Sequence, residues 1–355
     1  MPAALKTAAV KTDVLIVGGG PAGLAAAIAS RLKGFTVTVA DSTRPPIDKA
    51  CGEGLLPAAP AALAKLGIEL NRDCAFPFRG IRFLGDGASV EASFPSGTGW
   101  GVRRTRLHQL LADRASELGV RLLWGTCVTN PSEFASCRWI VGADGQISRV
   151  RRMHGLDAAI KESSRFGFRR HYQIEPWADC VEVHWAAGCQ IYVTPVGANE
   201  VGVALLTRDP HQRVDDALQH FPELQRRLSG APFSSTERGA VTMSRRLRRV
   251  VRDRTALIGD ASGSVDAITG EGLSLSFRQA IALSDAMAAG DLELYERDHR
   301  RLIRKPLLMA DVMLLLDRSP WLRRRALRLM AARPEIFGSL LALHAGRQQL
   351  ALATS

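Results

Sequence analysis

One short segment constrains this chain more than any other. Gly18-Gly19-Gly20-Pro21-Ala22-Gly23 is a G-x-G-x-x-G set directly between an apolar, β-branched run and an Ala-rich stretch. KTDVLIV reads as a buried strand, PAGLAAAIASRLKG as a helix closed by Gly34, and FTVTVAD as a second strand. Glycines at these spacings permit a tight turn and bring backbone close to a pyrophosphate seated on the helix N-terminus. Asp41 follows Gly23 by 18 residues and ends the second strand, where a carboxylate accepts hydrogen bonds from ribose hydroxyls. The glycine motif alone is weak. In its strand–helix–strand–acid context it predicts a dinucleotide site in an α/β fold.

The rest of the chain is long enough, at 355 residues, for one large or two interleaved domains. Residues 57–66 predict a helix, 79–94 a pair of short strands, and TRLHQLLADRASELG an amphipathic helix. RLLWG and CRWIVGADG predict strands returning to the first sheet. From Arg165 to Leu206, β-type alternation in RFGFRRHYQI, CVEVHW, CQIYVTP and EVGVALL predicts an antiparallel sheet in a second, substrate-facing domain. RTALIGDASG returns to a buried strand with a glycine loop, and a helix then runs to Gly290. Residues 291–355 predict helices cut by Pro306, Pro320 and Pro334.

Composition narrows the classes. Six scattered cysteines with no C-x-x-C pair argue against a zinc site, a dithiol motif or a secreted disulfide framework, and no metal is expected. The N-terminus has no apolar h-region and no apolar run reaches about 18 residues, which predicts a cytoplasmic protein without a spanning helix. The net charge of +12 is uneven: Arg297–Arg333 holds eleven Arg/Lys against three acids. In WLRRRALRLMAAR, Leu322, Ala326, Leu329 and Met330 align on one side while Arg323, Arg324, Arg325 and Arg328 fan out. Such a helix docks on an anionic membrane surface or packs on its own domain with a solvated basic face. Nothing accompanies the charge that would predict a nucleic-acid partner.

A second glycine loop lies about 240 residues downstream of the first. Gly259-Asp260 ends a buried strand, and Gly270-Glu271-Gly272-Leu273 can bring backbone N–H groups against a flat heterocycle. A single nucleotide turn does not need this loop. A ligand reaching from an adenosine site to a distant second site does, and FAD is such a ligand.

These segments, with VGADGQISRVRR between them, resemble the three signature segments of the flavoprotein group containing p-hydroxybenzoate hydroxylase and geranylgeranyl reductase, in the same order over about residues 12–290. The resemblance implies FAD bound by Gly18, Gly20, Pro21, Ala22 and Gly23, with Asp41 on the adenosine ribose and Asp260 on the ribityl chain or linking ribose. Arg104 matches the arginine that reaches the FAD phosphates or ribityl region, and Val128 the strand position facing the adenine. Asp144 matches a segment associated with FAD and reduced nicotinamide, although Asp-Gly is also ordinary turn chemistry. Lys49-Ala50-Cys51-Gly52-Glu53-Gly54-Leu55 is similar to the segment beside the flavin ring in the geranylgeranyl reductase branch, which puts Cys51 and Gly52 at the flavin. Cys51 is thereby a candidate proton donor, or an inert apolar residue. The tryptophan motif of the halogenase branch is absent from the sequence.

The resulting expectation is an α/β fold with a Rossmann-like FAD-binding domain built from 1–75, 98–158 and 245–295. An antiparallel-sheet substrate domain from 76–97 and 159–244 is inserted, and 296–355 forms a basic helical C-terminus. Arg169, His171 and Tyr192 on the substrate sheet are candidate substrate contacts, with Arg169 and His171 sharing one face; alternation alone does not say whether that face is buried. The expected activity is NADPH- or NADH- and oxygen-dependent hydroxylation of an apolar aromatic or polyketide-like small molecule. Saturation of isoprenoid double bonds is the alternative, and a non-catalytic flavin-binding protein the alternative of another class.

Overall fold

Val14–Val17 is apolar at all four positions because it is covered on both faces, as an interior parallel strand must be. The computed structural model describes residues 3–4, 12–130 and 136–345; the parts of the expected regions at 1–2, 5–11, 131–135 and 346–355 lie outside them. Pro21 starts the Pro21–Leu32 helix, where its missing N–H costs nothing, and the alanines let that helix lie close on the sheet. Val37–Asp41 then pairs parallel to Val14–Val17. The sheet runs in the order Val251–Arg252, Thr255–Leu257, Trp139–Gly142, Val14–Val17, Val37–Asp41, Arg121–Trp124, parallel throughout except at the first pair. Successive strands leave Val14–Val17 in opposite directions, so the crevice beyond Val17 and Gly142 is a topological switch point, where open α/β sheets bind ligands.

The second sheet orders its strands Arg238–Leu247, Ala159–Tyr172, Glu200–Thr207, Cys189–Gly197, Cys180–Trp185, Gly80–Gly85, Ala88–Ser93. It corrects the expectation of a wholly antiparallel sheet, because Gly80–Gly85 pairs parallel to Cys180–Trp185. Between the Gly80–Ser93 hairpin and Cys180–Trp185 the chain passes through Arg121–Trp124 and Trp139–Gly142 of the first sheet and then Ala159–Tyr172. A connection of that length leaves direction free, whereas a short turn does not. A small sheet of Gly54–Leu55, Gly99–Gly101 and Phe76–Phe78 lies between the two large ones.

The last three helices among the described residues are Leu292–Arg318, Pro320–Ala332 and Pro334–Ala345. Pro320 and Pro334 begin helices, but Pro306 does not cut one; it is buried inside Leu292–Arg318. The lost backbone hydrogen bond there is offset by packing, since Tyr295, Ala310 and Asp317 anchor the helix on both sides of it. The expected apolar face of Pro320–Ala332 is also rotated. Leu327 and Met330 point in and Leu329 points out, while Arg323, expected among the fanned charges, is buried. It lies 2.8 Å from Asp86 at the tip of the Gly80–Ser93 hairpin and stacks over Trp185. A specific anion at that tip outweighs the helix's simple apolar pattern.

Candidate functional site

The two glycine loops face one cavity of about 2630 Å³, whose lining runs from Gly18 and Asp41 to the C-terminal helices. Drug-sized ligand pockets are on the order of 300–1,000 Å³, so this space accommodates an extended dinucleotide and a second molecule.

At the first loop the three motif glycines do different work. A Cβ on Gly18 would sit 2.3 Å from the Ala143 carbonyl, at the crossing of the switch-point strands. A Cβ on Gly23 would sit 1.9 Å from the Gly18 carbonyl, so Gly23 lets the helix pack on the turn. Around Gly20 a Cβ would meet no atom within 4 Å, and that open space is the cavity itself. Pro21, Ala22 and Val128 line the same end. Asp41 shapes the loop as well as bordering it: Oδ2 accepts from Gly19 N at 2.6 Å and Oδ1 from Thr43 N at 2.7 Å. His108, buried behind the turn, lies 2.9 Å from the Gly19 carbonyl; burial lowers its pKa, so the neutral ring donates.

Asp144 borders the cavity, but its carboxylate caps the following helix, accepting from Ser148 Oγ at 2.5 Å and Arg149 N at 2.7 Å. Its side chain is thereby occupied by the turn chemistry that its Asp-Gly context allows. Arg104 also borders the cavity, and its Nε is a buried donor with no hydrogen-bond partner.

At the second loop Gly259 adopts φ 59 and donates its N–H to Gln279 at 2.8 Å, which turns Asp260 toward the cavity. Enclosure by the cavity walls raises the Asp260 pKa, against the pull of Lys49 and Arg104. Those two cations thus face the same space as the carboxylate. Gly270, Gly272 and Gly52 all have open space where a Cβ would project, and Leu273 lines the wall beside them. Cys51 borders this end too; burial raises its thiol pKa, so it is held as a thiol.

Sequence reasoning named Glu53 only within its glycine segment, yet it organises the centre. It adopts φ 59 and is buried, pairs with His171 Nε2 at 2.5 Å, and accepts from Arg104 N at 2.7 Å. His171 Nδ1 lies 2.7 Å from Ser235 Oγ and 3.1 Å from Arg169, and Arg169 pairs with Asp48. Arg169 and His171 therefore do share a face. That face is buried, and His171 does not border the cavity. Together they tie the Cys51 segment to the second sheet. Tyr192 does border the cavity, with its hydroxyl 2.9 Å from the Ile268 carbonyl and from Gln190 Oε1. A second group that the sequence left unmarked joins the C-terminus to this sheet: Asp317 pairs with Arg165 and accepts from Trp185 at 3.2 Å and Gln190 at 3.1 Å.

The far part of the cavity is apolar, walled by Phe78, Phe83, Trp185, Leu316, Leu327 and Phe337 from the second sheet and the last helices. A nucleotide turn and a distant Gly-Asp loop facing one space, with an orphaned arginine donor between them, fit FAD. The fold and site define a two-loop FAD-binding flavoprotein.

Comparison with known proteins agrees. Residues 13–72 match the family model described as FAD binding domain. The chain is 27% identical over 321 residues to menaquinone reductase of Mycolicibacterium smegmatis, covering 80% of this chain and 78% of that one. It is 25% identical to digeranylgeranylglycerophospholipid reductase 1 of Methanothermobacter thermautotrophicus, covering 79% and 77%. In fold it resembles p-nitrophenol 4-monooxygenase of Pseudomonas putida at a TM-score of 0.77 and 18% identity, covering 95% and 98%. By sequence the chain is an FAD-binding flavoprotein similar to the FAD-dependent oxidoreductases of the p-hydroxybenzoate hydroxylase and geranylgeranyl reductase group.

Proposed function

We propose that the protein is an FAD-dependent reductase that saturates a carbon–carbon double bond in the isoprenoid part of a lipid-like molecule. The observation that carries this reading is that the apolar arm, walled by the second sheet and the last helices, belongs to the same cavity of about 2630 Å³ as the loops at Cys51 and Gly270–Gly272. A hydrocarbon chain fits so large an apolar-walled space better than a compact phenol. The named reductases support it by sequence along most of both chains, whereas likeness to the monooxygenase is one of fold alone, so the preference moves from hydroxylation to reduction.

Bound FAD supplies hydride transfer, with NADPH or NADH as the reductant that recharges it. Gly18–Gly23, Asp41, Arg104 and Asp260 hold the cofactor, Gly52, Gly270 and Gly272 let the ring approach backbone, and the apolar arm excludes water from the reacting carbons. The test is anaerobic incubation of FAD-loaded protein, a nicotinamide reductant and a polyprenyl lipid. A product heavier by two hydrogens supports the reading. Turnover that requires oxygen and adds an oxygen atom refutes it in favour of hydroxylation.

The same reading accounts for the basic C-terminus as a peripheral membrane contact. Leu308, Val312, Leu340 and Leu343 both line the cavity and lie open to solvent, and Arg301, Arg304 and Lys305 are exposed beside them. An apolar mouth with a cationic rim suits a substrate taken from an anionic bilayer surface. No helix among the described residues is long and apolar enough to cross one.

A further inference from the structure

Saturating a double bond adds a hydride to one carbon and a proton to the other. Reduced flavin supplies the hydride, so on the reductive reading, on which this inference rests, the chain must supply the proton. Most cavity acids are already engaged. Asp41 and Asp144 accept backbone hydrogen bonds, Asp48 and Glu53 are paired with Arg169 and His171, and Glu296 accepts from Val250 N and Val251 N.

Glu271 is different. It sits between Gly270 and Gly272, whose surroundings are open, borders the cavity, and is only 8% exposed. Its Oε2 is buried without a hydrogen bond and lies 3.5 Å from His344 Nδ1 on the last helix. His344 Nε2 is 3.2 Å from the Thr269 carbonyl, which can only accept, so that nitrogen carries the hydrogen. Burial lowers the His344 pKa and keeps the ring neutral, leaving the Nδ1 lone pair toward Glu271. Burial also pushes the Glu271 carboxyl up to about 7, against the pull of Arg278 on the Gly272–Ala289 helix that Glu271 precedes. A carboxyl in that range holds a proton near neutral pH and can still release it.

We propose that Glu271 is the proton donor of this cavity and that His344 is the positioning residue that recharges it. The Glu271 O–H bond breaks as the new C–H bond forms, leaving a carboxylate. His344 then accepts a solvent proton at Nδ1 and passes it to Oε2, and rotation of the carboxyl group turns that O–H toward the cavity for the next turnover. Cys51, the candidate from sequence, is an uncharged thiol nearby and is not required.

The experiment uses full-length, FAD-loaded protein. Infrared difference spectra across pH read the carboxyl directly, without turnover. A protonated-carboxyl band that fades as pH rises through about 7, present in wild type and missing in Glu271→Gln, is expected. Absence of that band, or its survival in Glu271→Gln, overturns the proposal. In anaerobic turnover, Glu271→Gln should slow saturation by about 10²- to 10⁴-fold, as loss of a general acid does, with FAD affinity retained. His344→Gln should spare the first turnover and slow later ones. If wild type saturates the substrate and Glu271→Gln matches it, or Cys51→Ala loses the activity instead, the proton donor is misassigned while the reductase reading stands. If wild type saturates no double bond, the reductase reading fails and the donor role falls with it, whatever the infrared band shows.

Discussion

Gly20→Ala and Gly23→Ala separate the two kinds of work that the first glycine motif does. Gly20 has φ −71 and ψ 177, which alanine adopts freely, and a methyl there meets no protein atom within 4 Å. Gly20 is also the N-cap of the Pro21–Leu32 helix, where alanine is less favourable, so the cofactor-free protein should lose about 1 kcal/mol or less. The methyl nonetheless enters the space assigned to the pyrophosphate. Displacing one hydrogen bond to a charged group costs about 1.5–3 kcal/mol, roughly a 10- to 150-fold loss of FAD affinity. Gly23→Ala places its methyl 1.9 Å from a backbone carbonyl that cannot rotate away. Overpacking of that kind costs about 1–3 kcal/mol or more in the cofactor-free protein itself. Flavin fluorescence titration and thermal unfolding without FAD read the two quantities independently. Gly20→Ala that binds FAD as wild type does, or that unfolds as readily as Gly23→Ala, would refute the division of roles and with it the placement of the pyrophosphate.

Three further outcomes follow from other parts of the molecule. Burial alone would raise the Glu182 pKa, but hydrogen bonds from His184, Trp177 and Arg82 hold it at about 2, below its ordinary 4.5. Its contribution of about 3 kcal/mol is present above pH 4.5 and is lost as pH falls toward 2, so Glu182→Gln should flatten that acid limb of a denaturation series. Arg323→Ala leaves Asp86 without its buried partner and should cost about 3 kcal/mol by chemical denaturation; adding Asp86→Asn should restore part of it, and no restoration would mean that the Trp185 stacking dominates. Vesicles containing anionic lipid should sediment the protein while neutral vesicles do not, with salt weakening the association. Replacing Leu308 and Val312 with Gln should reduce it at least tenfold by our reading of the mouth, at about 1.5–3 kcal/mol for each large apolar side chain buried; equal sedimentation by neutral vesicles would remove the charge argument.

What could be read from the sequence alone was local. The strand–glycine–helix start, Asp41 at the second strand end, the Gly259–Asp260 loop and the helix stop at Gly290 each follow from dihedral preferences and periodicity within a few residues. These features announced the FAD-binding fold, and the order of the signature segments announced the group. What depended on tertiary structure is long-range pairing of charges. Glu53 meets His171, Asp86 meets Arg323, Arg165 meets Asp317, and Glu271 meets His344 across separations of 73 residues or more. In sequence each of these acids looks like an ordinary surface residue, although Glu53 and Glu271 both stand between glycines, which was the available hint. The direction of the Gly80–Gly85 strand, the uncut helix at Pro306 and the inward turn of Arg323 were settled the same way. Burial turns a charge from a solubilising group into one that must find its partner or surrender its proton, and only the folded chain decides which charges are buried.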